Sequence, residues 1–165
     1  MQLHAPLGDR ATWSPVGHCP IEKAMTVVGS RPAMLLMREA HYGTRRFDDF
    51  ATRVGVAPAT ASTHLRALTD AGLLARQPYQ DEGARTRDEY VLTPAGADLM
   101  PVVMGLFAWG TKYAEGTDQL EFAHAGCGEP AGLRVVCAAG HELSEDDVEV
   151  RVRALPREGR AVEVS

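Results

Sequence analysis

Between residues 44 and 93 the hydrophobic pattern passes from helical to alternating and back, and no other stretch constrains the fold of this chain as tightly. Phe47, Phe50 and Ala51 put apolar groups on one face of a short helix. Val54-Gly55-Val56 follows, and glycine permits the left-handed turn from which a second helix leaves at an angle. Pro58 suits the first position of that helix, because its missing N–H would be unpaired there in any case. Leu65 and Leu68 keep the helix on the core, which turns Thr60, Ser62, Thr63 and Arg66 outward. Gly72 closes it near residue 70, and Leu73-Leu74 re-enter the core. Residues 76–79 and 87–92 are expected to form two short strands around the turn Asp81-Glu82-Gly83-Ala84. Thr93-Pro94 then caps a long helix reaching about Tyr113.

Helix, glycine turn, helix, strand, tight turn, strand is the order of a winged helix-turn-helix. The expected fold class is therefore mainly α with a small β-wing. Short hydroxyls and a guanidinium on the outer face of helix 58–70 are the groups that read base edges in a major groove. Pro58, Thr60, Ser62, Thr63 and Arg66 are the candidate reading residues. Thr44, Arg45 and Arg46 precede the first motif helix and are candidate phosphate contacts, as are Arg85 and Arg87 beside the wing turn. The expected partner is double-stranded DNA. The competing reading is a winged-helix module that contacts proteins, with the acidic tail as its contact surface.

A net charge of −5 at first argues against a DNA binder. Its distribution removes most of the conflict: residues 116–165 hold five arginines against ten acids, whereas residues 31–90 hold nine against eight. Affinity should then rest on a few well-placed arginines and fall with salt. No apolar run approaches the roughly twenty residues of a membrane helix, so no membrane partner is expected. No basic-then-apolar segment opens the chain, which points to the cytoplasm. Three cysteines without a secretion signal favour thiol chemistry or metal ligation over a disulfide framework.

Residues 1–17 have the composition of a mobile arm, residues 18–115 form the expected DNA-binding and dimerisation domain, and residues 116–165 form an acidic β-rich appendage. Residues 20–28 and 32–40 read as two helices ahead of the motif. The helix from Pro94 carries an apolar stripe wider than a small domain needs, with Gly105 and Gly110 each costing about 1 kcal/mol of helix propensity. With the first helix it is a candidate dimer seam of Ile21, Met25, Leu99, Val103, Leu106, Trp109 and Tyr113. A homodimer is also what paired DNA half-sites require. In the appendage, residues 120–122 and 133–137 are candidate strands, and residues 148–153 alternate strictly, so a small C-terminal antiparallel β unit is expected.

Taken together, these residues resemble the HxlR family of bacterial winged-helix regulators. His18-Cys19-Pro20-Ile21 is similar to that family's Cys-Pro opening, and Gly43-Thr44-Arg45-Arg46-Phe47 to its Gly-x-x-Arg-Phe entry to the motif. His64-Leu65-Arg66-Ala67-Leu68, Gly72-Leu73, Glu89-Tyr90, Leu92-Thr93 and Gly96 look like its later landmarks. The resemblance covers about residues 18–115. Gly29-Ser30-Arg31-Pro32 departs from the family's Gly-x-Lys-Trp, and the wing turn lacks the usual proline-rich stretch. The resemblance implies a homodimeric transcriptional regulator, in some members responsive to an oxidant or electrophile through the cysteine before the first helix.

Two thiol sites are open to test. Cys19 stands at a helix start with Lys23 one turn on, surroundings that suit a reactive cysteine, so an oxidant or other small-molecule effector is a candidate partner. The alternative is a cysteine that serves as a small cap or core residue. His124-x-x-Cys127 and Cys137-x-x-x-His141 together offer the four donors of a tetrahedral zinc site. Against that stands Gly140, where a zinc ribbon would place a second cysteine. Buried cysteines in a small sheet are the plainer reading. The same donors offer a Cys/His catalytic pair, but no phosphate loop, nucleophile elbow or carboxylate pair accompanies them, so no enzyme is expected.

Overall fold

A computed structural model describes residues 1–11, 14, 16–80, 86–116 and 119–152. In chain order the elements are β1 (Gln2–Leu3), α1 (Pro20–Val28), α2 (Arg31–His41), α3 (Phe47–Val54), α4 (Pro58–Asp70), β2 (Leu74–Tyr79), β3 (Arg87–Leu92), α5 (Pro94–Ala97), α6 (Met100–Tyr113), a 3-10 turn (Glu145–Asp147) and β4 (Glu149–Val150). They divide into two compact units, Gly17–Leu133 and a second that joins Met1–Val16 to the chain from Arg134 onward.

The larger unit contains the winged helix-turn-helix. Its core is Val28 from α1, Leu36 and Met37 from α2, Phe50 and Val54 from α3, Leu65 and Leu68 from α4, and Leu74 and Tyr90 from the wing. Gly55 takes φ 69°, and its N–H bonds back to Ala51 and Thr52, so α3 ends in a left-handed turn that a side chain would strain. The wing strands pair antiparallel from Leu74↔Leu92 to Tyr79↔Arg87. Thr93 caps α5, its Oγ1 accepting from Gly96 N at 3.1 Å and donating to Gly72 O at 2.6 Å. Gly96 rests so closely on the Leu73 backbone that a Cβ there would overlap the Leu73 carbonyl oxygen.

Several expectations are corrected here. The helix expected from Pro94 to Tyr113 is two helices, with Asp98 and Leu99 between them. Pro101 explains the break, since it has no N–H to donate and its ring collides with the carbonyl four residues back. Residues 120–122 and 133–137 do not form strands. They contribute only to the isolated antiparallel bridges Ala123↔Pro130 and Val136↔Glu142 and their flanking hydrogen bonds. The unit boundary falls after Leu133 rather than near residue 116. The alternating run at 148–153 yields a strand only at Glu149–Val150, and Arg153 lies outside the described residues. That strand pairs parallel, not antiparallel, with Gln2–Leu3. The N-terminal residues are therefore no free arm: Gln2 N donates to Val148 O at 2.9 Å, and His4 Nε2 lies 3.2 Å from Glu149 Oε1.

His41, at the end of α2, has a buried Nε2 with no hydrogen-bond partner among the described residues. Burial holds its pKa below the ordinary 6.5, partly opposed by a backbone hydrogen bond at Gly96. The unfolded chain therefore takes up this proton first as pH falls, so His41 supports the fold fully above 6.5 and progressively less below it. Denaturant unfolding at about pH 7.5 and about pH 5.5 should show stability lost on acidification, with the loss reduced in His41→Phe. An unchanged pH slope in that variant would exclude His41 as its source.

Candidate nucleic-acid interface

Helix α4 is positioned by burying one face and leaving the other bare. Ala61, Leu65 and Leu68 are buried, while Ser62, Thr63 and Arg66 are exposed and Thr60 is half-buried. Pro58 opens the helix after Ala57, whose side chain makes no cap, so no side-chain cap claims the first-turn N–H groups. Thr63 Oγ1 donates to Ala59 O at 3.0 Å, which leaves its lone pairs available as acceptors. Among the described residues, Arg66 has neither an ion-pair partner nor an aromatic face against it. Its guanidinium is the cation on α4 ready for an external acceptor.

The three residues before α3 fare differently. Thr44 Oγ1 donates to Glu39 Oε2 at 3.1 Å, and Thr44 N donates to Glu39 O. Glu39 is only 5% exposed, and its other carboxylate oxygen accepts from Arg38 at 2.7 and 3.2 Å. Thr44 is thus a structural clasp, and its hydroxyl proton is spent inside the protein. Arg45 pairs with Glu89 of β3 at 3.1 Å, and its carbonyl accepts from Tyr90 N at 2.9 Å, fastening the motif entry to the wing. Arg46 lies over the Tyr79 ring at 4.9 Å. Arg45 and Arg46 remain exposed despite these contacts. With Arg53, Asp49 and Glu89 they line a recess of about 300 Å³ at the entry to α3.

Sequence reasoning missed Glu39, Glu89, Tyr79 and Arg53. Arg53 was within reach as an exposed cation in the last turn of α3. The other three act through partners 5, 44 and 33 residues away, and no local pattern announces such pairings. On the wing, Arg87 is exposed opposite Tyr79. Arg85 and the turn at 81–84 lie outside the described residues.

Of the seam candidates, Ile21, Met25, Leu106, Trp109 and Tyr113 are all more than half exposed. Val103 is the correction, at 5% exposed and buried within its own chain. Leu99 is half-buried against the core. Ile21, Met25, Leu99, Val102 and Leu106 line an apolar groove of about 460 Å³ between α1 and α6. Cys19 is the half-buried N-cap of α1, and its thiol makes no cap bond. The carboxylate of Glu22, one turn on, accepts from Gly17 N at 2.8 Å and brings a negative charge beside the Lys23 noted above.

The proposed zinc donors are divided between the two units. His124 and Cys127 belong to the larger unit, and Cys137 and His141 to the smaller. Among the described residues no three His, Cys, Asp or Glu side chains are grouped to hold a metal. Instead His124 Nδ1 lies 3.0 Å from Cys127 Sγ, and Cys137 N donates to His141 O at 2.9 Å.

Residues 27–118 match the family model for the HxlR-like helix-turn-helix. The chain belongs to the HxlR family. This HxlR protein is 36% identical over 131 residues to the uncharacterised HTH-type transcriptional regulator Rv3095 of Mycobacterium tuberculosis, covering 78% of this chain and 82% of that one. Among solved structures it is similar to PA1607, a proposed transcription factor, with TM-score 0.74, 27% identity and coverage of 83% and 96%. It is also similar to the redox regulator HypR in its oxidised form, with TM-score 0.53, 26% identity and coverage of 59% and 100%. The HxlR chain is a helix-turn-helix transcriptional regulator rather than an enzyme. No helix among its described residues is long and apolar enough to cross a membrane.

Proposed function

We propose that this regulator acts as a homodimer that sets two copies of α4 into successive major-groove segments of a pseudo-palindromic operator. The observation that carries this reading is the two-faced α4: Ala61, Leu65 and Leu68 anchor it while Ser62, Thr63 and Arg66, which has no ion-pair partner among the described residues, face outward. Thr60 and Pro58 sit at its leading end. Arg45, Arg46 and Arg53 supply phosphate contacts around the recess, and Arg87, with Arg85, supplies them from the wing. Thr44 contributes by holding that loop in place. The dimer forms through the exposed faces of α1 and α6, which also satisfies the two-fold symmetry of an operator.

Similarity to a redox regulator supports a further step, in which oxidation at Cys19 beside α1 alters the spacing of the reading helices. Binding of purified protein to its own upstream DNA, across a salt series and before and after diamide, tests both parts. Specific binding lost on oxidation and restored by thiol is the expected result. Binding indifferent to diamide would remove Cys19 as the switch, and absence of specific duplex binding would favour a protein-contact role. Arg66→Ala should weaken operator binding by about 1–3 kcal/mol and relax preference at one base position. Arg87→Ala should weaken all sequences alike and reduce the salt slope. Equal losses on every sequence from both variants would refute this division of roles.

A further inference from the structure

The segment after α6 returns as a short hairpin within the larger unit. Phe122 packs edge-on against Phe107 of α6 at 4.6 Å and against Tyr42 at 6.3 Å. Ala131 N donates to Phe122 O at 2.7 Å, and His124 N to Glu129 O at 2.9 Å. The tip between them is a tight turn in which Gly128, at φ 78°, donates its N–H to His124 O at 2.8 Å. This turn folds the His124 ring over the chain, placing Nδ1 3.0 Å from Cys127 Sγ. Gly126 makes the approach possible, since a Cβ there would stand 2.8 Å from His124 Cε1. Cys127 is exposed, whereas Cys19 and Cys137 are half-buried.

We propose that Cys127 and His124 form a nucleophile–base pair that makes Cys127 the protein's principal site of covalent modification by soft carbon electrophiles, the α,β-unsaturated carbonyl class. Sγ adds to the β-carbon of the electrophile, and the C=C π pair moves onto the carbonyl as an enolate. The thiol proton passes to His124 Nδ1 and is returned, through water, to the α-carbon. A C–S bond forms, one π bond is lost, and nothing is oxidised or reduced. The pair is distinct from Cys19 and does not depend on DNA binding. A thiol beside a base and open to solvent meets both requirements of a reactive cysteine.

The test uses N-ethylmaleimide on the full-length folded protein, with adduct formation at each cysteine followed by mass spectrometry. Cys127 should react first. Exposure alone would also favour it, so two variants separate the effects. His124→Ala removes the base. Gly126→Ala keeps both reactive groups but pushes the ring away, and the displaced atoms are the far end of a side chain. In each, the rate at Cys127 should fall roughly fivefold or more while Cys19 and Cys137 are unaffected. In guanidinium the difference between variant and parent should vanish. A smaller fall in either variant, or one that persists in denaturant, would overturn the pairing.

Discussion

Leu106→Asp is expected to leave a folded monomer whose operator affinity is lower by about a hundredfold or more. Leu106 is 52% exposed on α6 and lines the apolar groove with Ile21, Met25 and Val102. Trp109 and Tyr113 extend the same bare surface, their rings 5.7 Å apart. A lone chain rarely leaves so much contiguous apolar surface in water. In a two-fold interface each copy would bring its own aspartate to the seam, and two carboxylates in an apolar contact are strongly unfavourable. The native position is already half in water, so the monomer's own fold loses little. Light scattering should give the mass of a single chain where the unaltered protein gives that of two, and circular dichroism should be unchanged. Loss of the second half-site then removes the gain from linking two weak contacts on one DNA. A Leu106→Asp protein that stays dimeric would place the seam elsewhere.

The motif was legible because each of its parts is a local signal. Gly55, Pro58, Gly72 and Thr93 mark boundaries by backbone chemistry that operates within a few residues, and the structure puts a helix end or a helix start at or beside all four. Val103 was misread because α6 is apolar around much of its circumference, and a sequence cannot say which side its own chain takes. Pro101 carried the needed information, but the apolar stripe running past it outweighed the break. Gln2–Leu3 pairs with Glu149–Val150 across almost the whole chain, and a two-residue parallel contact leaves no periodic trace. In the candidate site, Arg66 was legible as an outward residue between two buried leucines. The roles of Thr44 and Arg45 were not, because they depend on Glu39 and Glu89, whose partnering exists only once α2 and β3 are in place.

Phe50→Ala should destabilise the protein by about 3–5 kcal/mol, the range for emptying an aromatic position in a core. Phe50 is fully buried and meets Tyr90 edge-to-face, with centroids 6.0 Å apart and rings perpendicular. It therefore joins α3 to the wing strand as well as filling space. Tyr90 in turn donates its N–H to the Arg45 carbonyl and carries Arg76 over its ring at 5.7 Å. Emptying the Phe50 site should loosen that whole junction, so wing-dependent phosphate contacts should weaken in whatever fraction stays folded. Phe50→Leu keeps most of the volume but gives up the edge-to-face contact, and should be considerably milder than the alanine variant. Thermal and urea unfolding of the two variants, alongside DNA binding at a temperature where both are folded, separates packing from placement. A leucine variant as unstable as the alanine variant would mean that the aromatic contact, and not the filled volume, holds α3 to the wing.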